Sequence, residues 1–157
     1  MQRRVAAPIA GAPPAKTVAN GAPRVQYFED FYVYTANFLA LAPDASQIFS
    51  IQIQADADFK WIKSTYQADI AEAAFTAATQ PVPNVTVQLT DTGTGKQLFQ
   101  TPVPIATLFG IGQLPFILPI ARMFSARSSI QVTVANYDAA VTYGIQLQFI
   151  GMKVWQQ

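Results

Sequence analysis

The stretch Ser128-Ser-Ile-Gln-Val-Thr-Val-Ala-Asn136, followed after Tyr-Asp-Ala-Ala by Val141-Thr-Tyr-Gly-Ile-Gln-Leu-Gln-Phe149, decides the fold class. Ile130, Val132 and Val134 alternate with Ser129, Gln131 and Thr133. Val141, Tyr143, Ile145, Leu147 and Phe149 alternate with Thr142, Gly144, Gln146 and Gln148. Successive side chains of a strand point to opposite faces, so each run buries one apolar row and wets the other. The short, turn-forming link at Asn136–Ala140 leads to the expectation that the two runs pair as an antiparallel hairpin. A sheet with one dry face needs a second layer to cover it.

The same alternation recurs upstream. Phe49, Ile51 and Ile53 alternate with Ser50, Gln52 and Gln54, and Val85, Val87 and Leu89 with Thr86, Gln88 and Thr90. Residues 25–41 are dense in aromatic and β-branched side chains and suit one or two strands. Phe59–Tyr66 reads as a further strand, with Phe59, Trp61 and Lys63 on one face. The alanine-rich segment Gln67–Ala78 reads either as the single helix or as a long loop. Residues 101–119 carry four prolines and two glycines, so little regular structure is expected there. That segment is nonetheless so apolar that its own domain or a partner must bury it. Short strands separated by Gly/Pro turns give an all-β class, an antiparallel β-sandwich or jelly roll over residues 25–157.

Composition narrows the function. The 157 residues suffice for one domain. Charged residues make up 12%, against a usual share of about 25%, which suits a surface largely covered by other protein. Cysteine is absent, which excludes disulfides, thiolate metal sites and thiol catalysis. Histidine is absent too, removing Ser-His-Asp and Cys-His arrangements and the ordinary zinc ligand sets. No apolar run approaches the roughly 20 residues of a membrane span. The N-terminal stretch is broken by Pro8, Pro13 and Pro14, so neither export nor membrane anchoring is expected.

The net charge of +1 is unevenly divided. Residues 1–24 hold Arg3, Arg4, Lys16 and Arg24 with no acid, and the remainder holds six bases against nine acids. Residues 1–24, rich in Ala, Pro and Gly, read as an extended basic arm that orders against a neighbour. Four dispersed charges without interleaved aromatics disfavour direct nucleic-acid contact.

Apparent catalytic motifs do not survive their context. Asp91-Thr-Gly93 spells the aspartic-protease triplet, but polar Thr90 precedes it and Gly95-Lys96 continues a turn, so a hairpin turn accounts for it better. Gly93-Thr-Gly-Lys96 lacks the first glycine and the trailing Ser or Thr of a phosphate loop. Asp56 and Asp58 are two residues apart, too few oxygens for calcium. Trp61, Tyr66 and Tyr137 are the sugar-stacking candidates of an alternative, glycan-binding reading. No enzyme, cofactor or metal is expected.

Several framework stretches carry a resemblance. Asn84-Val-Thr-Val-Gln-Leu-Thr-Asp-Thr-Gly-Thr-Gly-Lys-Gln-Leu-Phe99, Phe109-Gly-Ile-Gly-Gln-Leu-Pro-Phe-Ile-Leu-Pro119, Arg122-Met-Phe and the 128–137 run resemble virion structural proteins of tailed bacteriophages. So do Ile53-Gln-Ala-Asp-Ala-Asp-Phe59 and the ending Phe149-Ile-Gly-Met-Lys-Val154, and the likeness extends over most of residues 25–155. It implies a small jelly-roll subunit that decorates or cements a capsid, with a neck, collar or tail station as the alternative. The implied setting is the virion, assembled in the bacterial host cytoplasm. The implied partners are the major capsid protein or other virion proteins, within a homo-oligomer. Arg3, Arg4, Lys16 and Arg24 are then the expected arm contacts, and Phe109, Leu114, Phe116 and Leu118 the expected apolar inter-subunit contact.

Overall fold

A computed structural model describes residues 26–70 and 81–156. Nine strands and one short helix follow in the order β1 (Tyr27–Leu41), β2 (Ser46–Gln52), β3 (Asp58–Ile70), β4 (Val85–Asp91), β5 (Lys96–Gln97), β6 (Val103–Pro104), α1 (Ile105–Leu108), β7 (Phe116–Phe124), β8 (Ser129–Asn136) and β9 (Tyr143–Gln156). They form two antiparallel sheets, one ordered β1-β9-β3-β7 and the other β2-β8-β4-β5, with β6 also paired to β4. The chain changes sheet after β1, β2, β3, β6, β7 and β8, the double-sheet connectivity of a jelly roll.

The deciding stretch forms its two strands but not its hairpin. β8 pairs with β2 and β4, whereas β9 pairs with β1 and β3. The two runs therefore lie in opposite sheets, and their apolar rows meet in one core instead of lying side by side. Residues 137–142 make the crossover. Asn136 ties it down: its side-chain amide donates to the carbonyls of Leu41, Ala42 and Val141 at 3.2, 3.0 and 2.8 Å. Two one-sided rows gain more by covering each other than by pairing, because pairing would leave both dry faces in water.

Of residues 25–41, expected to form one or two strands, Tyr27–Leu41 form one, and residue 25 lies outside the described residues. Gln67–Ile70 continue β3 and are not helical, while the rest of the 67–78 segment lies outside the described residues. A register shift between Trp61 and Lys63 breaks the simple alternation of β3. Phe59 and Trp61 point inward before it, and Ser64, Tyr66 and Ala68 after it, so Lys63 leaves the face it shares with Trp61 in the sequence pattern. On β7 the partners of Trp61 and Lys63 are Arg122 and Ile117, so residues 118–121 bulge out of the ladder. That bulge, on an edge strand, is where Pro119 sits without an unmade ladder bond. The 101–119 segment thus holds more regular structure than its prolines imply.

Trp61 stands at the centre of the core. Its ring lies 5.1 Å from that of Phe149, 6.4 Å from Phe124 and 6.5 Å from Phe109, and its indole N–H donates to the Lys63 carbonyl at 2.9 Å. Trp61 is thereby removed as a sugar platform. Tyr66 is buried too, and Tyr137 remains 58% exposed.

Candidate protein-interaction surface

The residues that looked chemical are structural. Asp91 is buried at the end of β4, where Oδ1 accepts the Gly93 N–H at 2.9 Å and Oδ2 the Thr94 hydroxyl at 3.0 Å. With Gly95 at φ +67°, the carboxylate closes the β4–β5 turn. Both oxygens are engaged in that task, and Arg122 stands 4.0 Å away.

Asp56 and Asp58 do not converge on one cation. Asp58 Oδ1 accepts the Ala126 N–H at 2.8 Å, and Asp56 pairs with Lys153 at 2.7 Å. Lys153 also bonds Gln54 and lies 4.3 Å from the centre of the Tyr32 ring. The hydrogen bond from Lys153 holds the Asp56 carboxyl below its usual range, and the same bond raises the Lys153 ammonium. A lowered carboxyl pKa favours folding above the unfolded-state value of about 3.9 and is lost as pH falls through the folded value. The raised lysine acts at the other end: its contribution is complete below the unfolded-state pKa and disappears as pH rises through the folded one. Asp56→Asn is therefore expected to lose stability at pH 7 and to show a smaller further loss between pH 5 and pH 2 than the parent. Thermal melts across that range check it; identical pH dependence would show the pair to be irrelevant.

The outward face of the β1-β9-β3-β7 sheet divides in two. Its polar half is a chain of side-chain bonds across three strands. The Thr65 hydroxyl donates to Gln148, the Gln148 amide to Gln146 at 2.8 Å, and the Gln146 amide to Asn37 at 2.9 Å. These groups satisfy one another. The other half is apolar, with Phe31 70% and Ile117 67% exposed. Between them, Ile62, Ile150 and Met152 line a groove of about 240 Å³ with Lys63 at its side. Among the described residues this outward apolar area spans four strands, which makes it the candidate contact surface.

Sequence reasoning missed this face, although a signal was present. Along β9 the outward row is Gln146, Gln148, then Ile150, Met152 and Val154, a switch from amide to apolar at Ile150. The residues singled out from sequence are scattered by the fold. Phe109 is wholly buried, its ring 5.4 Å from Phe149, and belongs to the domain's own core; as a candidate inter-subunit contact it is corrected. It is drawn inside because the α1 turn and the Gly110 pairing with Thr65 bring the segment onto the edge of β3. Leu114 is 74% exposed at the tip of the turn closed by its N–H to the Ile111 carbonyl. Phe116 and Leu118 are half-buried and line a separate cleft of about 220 Å³ beside Trp61 and Arg122. Arg3, Arg4, Lys16 and Arg24 lie outside the described residues.

No family model matches the chain, and no curated protein matches it. Among solved structures it is similar to the VP2 subviral particle of infectious bursal disease virus, at 11% identity and a TM-score of 0.33. That match covers 93% of this chain and 37% of the viral one. The chain thus spans little more than a third of that protein's length, and a TM-score this low carries no argument about function.

Proposed function

We propose that this protein is a non-enzymatic virion structural subunit of a tailed bacteriophage, a decoration or cement protein that binds neighbouring capsid subunits and its own copies. The observation that carries this reading is the apolar outward half of the β1-β9-β3-β7 sheet, set on a jelly-roll body with few charges. Jelly rolls serve as capsid, lectin and metal-binding enzyme domains. With no histidine in the chain, the metal-enzyme use lacks its commonest ligand. The lectin use loses its best stacking platform with Trp61 in the core. The sequence resemblance to phage virion proteins supports the remaining class.

The mechanism is mechanical. Residues of the apolar half and Leu114 meet other subunits, while Arg3, Arg4, Lys16 and Arg24 reach acidic groups on neighbours. Replacing both Phe31 and Ile117 by Glu is expected to weaken attachment to particles by at least about tenfold, since two charges would be desolvated in the contact. Both side chains are exposed, so the melting temperature of the free subunit should move by no more than about 2 °C. Undiminished attachment would rule out this face.

The test of the function as a whole is copy number in purified particles, by quantitative mass spectrometry against the major shell protein. A count comparable with the shell subunit is expected of a cement protein. A small fixed count would move the protein to the neck, collar or tail. Absence from the particle would overturn the virion reading.

A further inference from the structure

Two sheets leave four edges, and three of them are blunted. β7, at one edge of the first sheet, carries Pro119, the bulge at residues 118–121 and Arg122. β5 and β6 have two residues each, and β6 contains Pro104. β2 is less than half as long as β1, and its Gln47 and Gln52 amides donate to the carbonyls of Ala40, Arg127 and Ser128. β1 is different. It runs from Tyr27 to Leu41 without proline, lysine or arginine, and its ladder with β9 keeps register from Tyr27 to Phe38. Among the described residues β9 is its only strand neighbour. Alternate residues of a strand aim their N–H and C=O groups to opposite sides, so half of the ladder groups of β1 point away from β9. Beside them its outward side chains include Phe31, 70% exposed, and Val33, 36% exposed.

We propose that β1 pairs antiparallel with β1 of a second copy about a two-fold axis at Tyr32, joining two four-stranded sheets edge to edge into one. This deepens the reading above in one respect, which surface holds copy to copy, and rests on it for that alone. The occupant is a second copy because the edge complements itself. In a continuous sheet outward residues must meet outward residues, so the axis falls on a residue and not between two. At Tyr32 it sets Phe31 of each copy opposite Val33 of the other, and two exposed apolar pairs form at once. Glu29 and Asp30 then stand opposite Thr35 and Tyr34 of the other copy, so no acid faces an acid. Glu29 also brings its own countercharge, Lys60 at 2.9 Å. Other registers fit worse. An axis at Phe31 sets Glu29 against Val33, and one at Val33 or Tyr34 sets Phe31 against Thr35 or Asn37. An axis at Thr35 gives Phe31 only Leu39, which lies past the point where the β1–β9 register shifts. Pairing about Tyr32 also makes the apolar outward halves of the two sheets contiguous, doubling the surface offered to a capsid.

The absence of cysteine makes the test direct, since one substitution gives one nitroxide site in the full chain. Thr35→Cys and Asn37→Cys are labelled singly and read by double electron–electron resonance on the free subunit. At about 3.4 Å per residue and with the axis at Tyr32, the two copies of residue 35 lie about 20 Å apart and those of residue 37 about 34 Å. Sedimentation should show a monomer–dimer equilibrium. Val33→Asp sets a carboxylate opposite Phe31 and diagonal to Glu29 of the other copy, and should weaken the dimer at least about tenfold. Ile120→Asp, 84% exposed on β7 at the far edge, should leave it unchanged. Circular dichroism verifies that both variants are folded; if Val33→Asp is not, the two distances decide. A subunit that stays monomeric at about 0.5 mM, a separation that does not lengthen in this way from residue 35 to residue 37, or a dimer indifferent to Val33→Asp overturns the proposal. The free subunit is used throughout, so failure here leaves the particle copy number, and the virion reading, standing or falling separately.

Discussion

Trp61→Ala is expected to lower the unfolding free energy by about 3–5 kcal/mol, the usual cost of emptying a large aromatic site in a packed core. The side chain is 2% exposed and touches aromatic rings from three other parts of the chain: Phe109, which caps the C-terminal end of α1, Phe124 of β7 and Phe149 of β9. Removing it leaves those rings facing a void that the surrounding strands cannot close, since the β3 ladder holds their spacing. The indole N–H bond to the Lys63 carbonyl goes as well, at the register shift where β3 has least ladder support. At roughly 2–4 °C per kcal/mol for a chain of this size, the melting temperature should fall by about 6–20 °C. Urea unfolding followed by circular dichroism measures it, with Trp155 retained as a second reporter. A loss below about 1 kcal/mol would mean that Trp61 is not at the centre of the core.

Gly151→Ala is expected to cost at least about 3 kcal/mol, at or beyond the upper end of ordinary overpacking. Gly151 lies in β9, the strand flanked by both β1 and β3, opposite Tyr32 on one side and Trp61 on the other. A Cβ there would stand 1.9 Å from the Lys60 carbonyl oxygen and 3.1 Å from the Phe59 ring. The obstacle is the backbone of β3, so no side-chain rotation relieves it, and the sheet must open where the register already shifts. Gly112→Ala is the control: its Cβ would meet nothing within 4 Å, and stability should change by less than about 0.5 kcal/mol. Equal stability for the two variants would show that the β9–β3 approach is looser than described.

Most of the strands were legible because burial of one face writes a period of two into the residues themselves. Val85, Val87 and Leu89, Ile130, Val132 and Val134, and Ile145, Leu147 and Phe149 are all in the core, where their alternation puts them. The Asp91 turn was legible for the same local reason, since an Asp followed by glycines satisfies its own backbone. Candidate contacts were less legible. Phe109, Leu114, Phe116 and Leu118 share apolar character, yet one is in the core, one is on a turn tip and two face a cleft. Apolarity records that a side chain leaves water without recording which surface receives it. The apolar outward half of the sheet was written in Ile150, Met152 and Val154, but it acquires meaning only beside Phe31 and Ile117, distant in sequence.

The sequence by itself determined the all-β class, the positions of the main strands and their inward rows, and the exclusion of histidine and thiol chemistry. Tertiary structure decided which strands are neighbours. It sent β8 and β9 to opposite sheets, ran Gln67–Ile70 on as strand and drew Phe109 inside. The reason is physical. Alternation depends on a strand's own two faces and is the same whatever lies beside it. Partner choice depends on covering both dry faces at once, a condition that no single stretch of chain contains.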